Sequence, residues 1–320
     1  MLASRTYAQA VGPMDPILLS GASGLVGTAL RQRLAQESRT LLQLMRIKPR
    51  HAGATGPGQV GWNPDAQPAI EDASALEGCA AAIHLGGANL AARRWTEKYR
   101  RELVSSRVDS TRALATVLAG LRRPPHTFVV ASAVGVYGDR GGETVDEASP
   151  PGQGFLADLC RAWEAAAQPA RDAGIRVVHL RFGVVLGEGP GALGKMLPIF
   201  RWGLGGRLGS GRQWMSWVSM EDAIAAIVFA LESPALDGAV NLTAPQPVTN
   251  AEYTRALAQA LHRPAVLPVP AFALRLALGP MADEALLQSI RALPAKLIAA
   301  GFQFKHPRLE DALAAAIGER

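Results

Sequence analysis

Pro16-Ile-Leu-Leu-Ser-Gly-Ala-Ser-Gly-Leu-Val-Gly27 is the stretch on which the fold turns. Ile17 to Leu19 is a short apolar run of the kind that forms a buried strand, and it stops at a glycine cluster. Leu25 to Glu37 then has helical spacing, and a second apolar run, LLQLM at 41–45, ends at Arg46. Strand, helix and strand in quick succession make a β-α-β unit. Gly21, Gly24 and Gly27 stand at G-x-x-G-x-x-G spacing on the strand-to-helix turn. The first glycine permits the tight turn, the second lets backbone N–H groups approach a pyrophosphate, and the third lets the helix pack closely on the sheet. The helix N-terminus adds the positive end of its dipole. The turn formed by Gly21, Ser23, Gly24, Leu25, Val26 and Gly27 is therefore the candidate phosphate cradle of a dinucleotide.

Further strands follow at QVGW (59–62), AAIHLGG (81–87), TFVVASA (127–133) and IRVVHLRFG (175–183). Helices are expected over 96–121 and 155–173. Strands that are almost wholly apolar and alternate with helices predict a parallel sheet covered on both faces. The fold class is thus α/β, a Rossmann-type doubly wound sheet. Near residue 187 the pattern changes to the glycine-rich GEGPGALGKM and WGLGGRLGSGRQ, which suit a loop beside a ligand. Ser219 with Asp222 and Thr249 with Glu252 fit capping boxes at helix starts. Strand-like runs are few after 246. The division expected is a tail at 1–14, a dinucleotide-binding domain at 15–187 to which 214–245 returns, and a smaller, mainly helical substrate-side domain from 188–213 and 246–320.

The second strand ends in Met45-Arg46-Ile47-Lys48, and no acid occurs between Thr40 and Gln59. A site that prefers NAD places Asp or Glu there for the ribose 2′-hydroxyl. A guanidinium instead pairs with a 2′-phosphate. Arg46 is accordingly the residue expected to select NADP(H), against the plainer reading of a solvated surface arginine.

Composition bounds the rest. The 320 residues carry a net charge of +6, 48% hydrophobic and 19% charged residues, as an ordinary globular enzyme does. The basic residues are scattered, so an anionic small ligand fits better than nucleic acid. Cys79 and Cys160 form no CxxC pair and have no His at ligand spacing, so neither a disulfide framework nor a metal site is expected. No apolar run is long enough to span a bilayer. Residues 1–13 lack the apolar core of a secretory signal. They contain Arg and Ser without an acid, as a transit peptide does, but a plain tail or an early start codon is the favoured reading. A cytoplasmic protein with a small-molecule substrate, and with no nucleic-acid or membrane partner, is expected; the oligomeric state is not legible.

GASGLVG, HLGGANL, RRWTEKYRRELVSSRVDSTRAL and ASAVGVYGDRG together resemble an atypical, extended short-chain dehydrogenase/reductase. The resemblance is to its epimerase-like oxidoreductase group, which carries a small characteristic C-terminal domain. FLADLCRAWEAAA, LRFGVVLG, SGRQWMSWV and LPAKLIAAGFQFKHP extend it over almost the whole chain from residue 16. It implies an extended Rossmann fold that binds NADP(H). It also implies that Met45 and Arg46 lie at the 2′-phosphate end, Leu85 and Gly86 over the adenosine ribose and pyrophosphate, and Val185 near the nicotinamide. Glu102 and Arg107 match helix positions near the cofactor in that group, or else form a simple pair on one helix face.

Catalysis is where the chain departs from the family. Ordinary members use Ser with Tyr-x-x-x-Lys, in which the Lys lowers the Tyr pKa. None of Tyr7, Tyr99, Tyr137 and Tyr253 has Lys four residues on. With Glu164 as anchor, the Tyr slot falls on Leu156 and the Lys slot on Cys160. Two hydroxyls remain as catalytic candidates. Ser132 is read either as the family's strand-end hydroxyl or as one bonding to backbone; Tyr137 is read either as the proton donor or as a packing residue. Trp214 and Trp217 either wall the cleft or seal the domain junction. Two functions follow: an NADP(H)-dependent oxidoreductase or epimerase-like enzyme acting on a small polar carbonyl or alcohol, or a non-catalytic NADP(H)-binding sensor or scaffold.

Overall fold

The computed structural model describes residues 15–47 and 56–318; the expected 1–14 tail lies outside them. The first half runs β1 (Ile17–Ser20), α1 (Leu25–Gln36), β2 (Leu41–Arg46), β3 (Gln59–Trp62), β4 (Ala81–His84), α2 (Glu97–Ser105), α3 (Val108–Ala119) and β5 (Thr127–Ala133). Then come β6 (Thr144–Val145), α4 (Phe155–Ala165), α5 (Gln168–Asp172), β7 (Arg176–Phe182), β8 (Val184–Leu186) and α6 (Ala192–Arg201). The remainder is β9 (Trp214–Met215), β10 (Trp217–Ser219), α7 (Met220–Glu232), β11 (Gly238–Leu242), β12 (Val248–Thr249), α8 (Asn250–Ala260), α9 (Ala271–Leu278), β13 (Arg291–Ala292), α10 (Ala295–Ala299) and α11 (Leu309–Ile317).

Seven strands form the central sheet in the order β11-β7-β5-β4-β1-β2-β3, every pairing parallel. β1 and β4 are buried along their whole length because helices cover both faces. One face packs Leu18, Phe128, Val130 and Val177 against α2–α5, including Leu103, Leu114 and Trp163. The other packs Ile17, Leu19, Val129 and Leu180 against α1 and α7 through Leu30, Leu34, Ile224 and Ile227. The expected α/β doubly wound sheet is present. Crossover order reverses between β1 and β4, and ligands of such sheets bind there, outside the strand C-termini.

Three local differences from the sequence reading have clear causes. The helix expected over 96–121 breaks at Ser106–Arg107, because Ser106 Oγ accepts from Ala88 N (3.0 Å) and the Arg107 guanidinium donates to Ala88 O (2.8 Å). Thr249 and Glu252 make the full capping box, whereas Asp222 does not reach back to Ser219's backbone. Its carboxylate is taken by Lys305 N (2.7 Å) and His306 N (3.0 Å). The chain end also reaches back to the central sheet. β13 pairs with β6, and Leu297 and Phe302 enter the core beneath the central sheet, while α11 packs with α8 around Leu257 and Leu313.

Candidate functional site

The βα1 turn is built from the need for space. Gly21 has φ +80°, and a Cβ there would lie 2.7 Å from Leu85 C, on the turn beyond β4. A Cβ on Gly27 would lie 2.1 Å from Gly21 O, so no side chain fits between helix and strand. Gly24 is different. It caps α1 with ordinary extended dihedrals, and a Cβ would meet nothing closer than Gly21 O at 3.4 Å. Ser23 and Gly24 are exposed. Within the protein, then, Gly24 has room for a side chain that it does not carry. No side chain caps the first turn of α1, which leaves its N–H groups and dipole facing outward. That bare N-terminus suits a pyrophosphate.

A cavity of about 550 Å³ opens beside the turn, bounded by Ser23, Gly24, Leu25, Gly187, Glu188 and His306. Leu25 is packed from above: a Cβ on Gly191 would lie 2.6 Å from its Cδ2, and one on Gly189 3.3 Å from its Cδ1. The 187–191 segment thus passes close over the turn, and Gly189 takes a positive φ of +116° there. From α6, Lys195 Nζ donates 2.8 Å to Ala91 O in the loop after β4. The segment 187–195 thus bridges the two loops that flank β1 and β4.

At the end of β2, Met45 and Arg46 are exposed. Arg46 Nη2 stands 2.9 Å from Asp65 Oδ2, a pair half open to solvent. Asp65 lies just beyond β3, and the sequence reading missed it because only the pairing of β2 with β3 brings it to Arg46. Leu85 and Gly86 stand over β1 on the Gly21 side, and Leu85 N donates to Ser20 O (3.0 Å). The Arg107 guanidinium is buried over the Trp163 ring at 5.2 Å, and the Cζ atom would meet a Cβ on Gly87 at 3.3 Å. Burial lowers its pKa. Glu102 is not paired with it: it is exposed, 3.9 Å from Arg93. Val185 is half-buried on β8.

The expected catalytic hydroxyls have other duties. Ser132, Arg181 and Asn241 sit in one register row across β5, β7 and β11. Ser132 Oγ donates to Glu164 Oε1 at 2.7 Å. Arg181 grips both oxygens of Glu164, at 2.8 and 2.9 Å. It also donates to Tyr137 Oη at 3.0 Å, which donates on to Asn241 Oδ1 at 2.8 Å. Tyr137 is fully buried and Ser132 nearly so. Burial raises the Tyr137 pKa, against the pull of Arg181. Burial alone would also raise Glu164, but its hydrogen bonds from Arg181 outweigh this and hold the carboxyl below its usual range. Both hydroxyls thus find partners within the protein, Ser132 in Glu164 and Tyr137 in Arg181 and Asn241.

The two slots of the missing dyad are closed as well. Leu156 is buried and lies against Gly135, and the Cys160 thiol is pushed up to about 12 by burial. Glu284 caps this helix, accepting from Phe155 N and Leu156 N, each at 2.9 Å. Trp217 is buried with its indole donating to Gln246 O (2.9 Å), which favours the sealing role; Trp214 stacks under Arg291 at 4.2 Å.

Sheet, crossover and bare glycine turn together define an NAD(P)-binding Rossmann protein of the short-chain dehydrogenase type. The chain belongs to the NAD dependent epimerase/dehydratase family, whose model matches residues 17–242. A domain of unknown function, DUF1731, matches 269–316. The chain is 42% identical over 302 residues to the epimerase family protein ML0860 of Mycobacterium leprae, covering 94% of this chain and 95% of that one. To the human epimerase family protein SDR39U1 it is 36% identical over 300 residues, covering 93% and 98%. The crystal structure of human SDR39U1 (isoform 2) with NADPH superposes with a TM-score of 0.85 at 34% identity, over 94% of this chain and 98% of that one.

Proposed function

We propose that the chain binds NADP(H) across the C-terminal ends of β1 and β4 and acts as an oxidoreductase or epimerase-like enzyme on a small polar carbonyl or alcohol. The observation that carries the dinucleotide is Gly24, a residue without a side chain where the protein itself leaves room for one. The bare N-terminus of α1 supplies donors for the pyrophosphate, and Arg46 supplies the charge for a 2′-phosphate. The family relative solved with NADPH supports the same cofactor. Nicotinamide, when bound, supplies a hydride acceptor or donor. Leu85 and Gly86 would lie over the adenosine ribose and pyrophosphate and Val185 near the nicotinamide, and 187–195 crosses beside the turn. With Ser132 and Tyr137 locked in their network, the proton for such a reaction comes from outside the usual dyad.

The same network favours a second reading, a non-catalytic NADP(H) sensor or scaffold, since every group in the dyad's place is apolar or already partnered. Two measurements test the proposal. Calorimetric titration at fixed salt is expected to show tight NADPH and weak NADH. Arg46→Glu is expected to cost NADPH roughly 1.5–3 kcal/mol and NADH little; equal losses on both would defeat the 2′-phosphate assignment. Turnover of NADPH on a panel of carbonyl compounds separates the two readings, and its absence with tight binding would leave the sensor.

A further inference from the structure

Two long stretches without any acid lie together in the fold. Residues 189–220 carry Lys195, Arg201, Arg207 and Arg212, and residues 253–282 carry Arg255, His262, Arg263 and Arg275, without one Asp or Glu. The fold lays these stretches side by side: Leu267 N donates to Gly205 O (3.1 Å), Val269 N to Arg207 O (2.9 Å) and Gly209 N to Val269 O (2.8 Å). Between them and α8 lies an open cavity of about 950 Å³, which shares no lining residue with the cavity beside the glycine turn and is lined by Arg207, Arg255, His262, Arg263, Val266 and Pro268.

Among the described residues, Arg207, Arg255 and Arg263 make no ion pair, although Glu252 lies close enough to Arg255 to feel its charge. The bordering acids are occupied: Glu252 in the cap of α8, Glu188 with Arg201 at 3.6 Å and Asp283 with Arg275 at 2.9 Å. Large apolar side chains stand in the open beside these charges. Trp202 is 81% exposed and Val266 74%, and Gly203 lies against Pro264 of the cavity wall. On α9, Phe272 and Leu276 face solvent one turn apart, while only Leu274 is buried.

We propose that this face docks on an anionic lipid bilayer. Tryptophan, phenylalanine and leucine partition into the boundary between headgroups and acyl chains, and arginines beside them are drawn to the charge of an acidic leaflet. The pairing of exposed bulky apolar groups with unneutralised arginines is what that boundary selects. A second copy related by a two-fold axis would set the arginines against each other. Nucleic acid would leave Val266, Leu276 and Phe272 in water. No helix among the described residues is long and apolar enough to cross a membrane, so the attachment is at the surface. The inference departs from the expectation of no membrane partner, which rested on the lack of a spanning run. It is independent of the cofactor.

The test is flotation of the full chain with vesicles of phosphatidylcholine alone, or of phosphatidylcholine mixed with phosphatidylglycerol. Binding to the acidic vesicles only, weakened by salt, is expected. The combined variant Arg207→Gln, Arg255→Gln, Arg263→Gln is expected to lower partitioning on the order of 100-fold. Trp202→Ala is expected to lower it about 10-fold. Both variants should keep their melting temperature and NADPH affinity, which shows that the loss is local. No flotation, equal flotation with neutral vesicles, or flotation indifferent to these variants would overturn the proposal. A dimer that Trp202→Ala dissolves, without flotation, would assign the face to a second copy instead. Binding of DNA but not of vesicles, lost in the triple variant, would assign it to nucleic acid.

Discussion

The turn at Gly21–Gly27 and the row formed by Ser132, Arg181 and Asn241 both lie at the C-terminal edge of one sheet, where a doubly wound fold places its ligands. They are built in opposite ways. The turn is made of backbone: it holds an exposed glycine with unclaimed room and a helix end with no side-chain cap. The row is made of side chains, and with the Glu164 carboxylate its hydroxyls and guanidinium satisfy one another largely shielded from solvent. A ligand site is recognised by the donors and the space that the protein leaves unused. A polar cluster whose donors and acceptors answer one another also stiffens the frame at that edge.

The largest effect that would break this comparison is at Glu164. Glu164→Ala strands the buried Arg181 and is expected to cost about 3–5 kcal/mol of stability while leaving NADPH affinity nearly unchanged. Denaturant titration with a parallel cofactor titration reads both, and lost binding with intact stability would return the row to the active site. Acid acts on the same frame. His84 and His179 are both held at about 4 by burial, against 6.5 in an unfolded chain. Their contribution is complete above pH 6.5 and is lost as pH falls toward 4, because the unfolded state takes up the protons first. The slope in that window is expected to reach about 2.7 kcal/mol per pH unit for the two together. Glu164, whose folded pKa is depressed, adds to the loss below its unfolded value of 4.5.

Two glycines of the turn sharpen the contrast. Gly27→Ala drives a methyl into Gly21 O and is expected to cost about 1–3 kcal/mol of stability. Gly24→Ala should cost at most about 1 kcal/mol of stability as a poorer N-cap, partly offset by lower unfolded-chain entropy, yet weaken NADPH by about 10-fold or more through the lost phosphate approach. A thermal melt of each variant with and without NADPH separates the two. The smallest effect is at Asp65. It competes with a 2′-phosphate for Arg46, so Asp65→Asn is expected to tighten NADPH by up to about 1 kcal/mol and leave NADH unchanged; weaker NADPH binding would make Asp65 a support for Arg46.

What the sequence made legible was local. Strand, turn and helix at 17–36 follow from apolar runs and glycine spacing, and the charge of Arg46 is read at the end of its own strand. Asp65 was not legible, because it reaches Arg46 only through the β2–β3 adjacency, and that depends on sheet order. The network around Arg181 was hidden for a similar reason. Tyr137 and Asn241 are 104 residues apart and meet because β5, β7 and β11 stand next to each other. Each hydroxyl seen alone looks like a catalyst; only its partners show that it is spoken for. The break at Ser106–Arg107 was invisible because the helix pattern continues through it, and the cause is a loop on another strand.

Glu284 caps α4 across an interval of 129 residues, and Asp222 holds the backbone of Lys305 and His306 across 83 and 84. A chain emerging from the ribosome therefore exposes α4 with its first turn uncapped until Glu284 has been made, and the underside of its sheet incomplete until Leu297 and Phe302 have followed. Vectorial synthesis does not let the N-terminal half mature first. The chain closes late and as one piece, and a nascent chain stalled before residue 284 is the form that a holdase should retain.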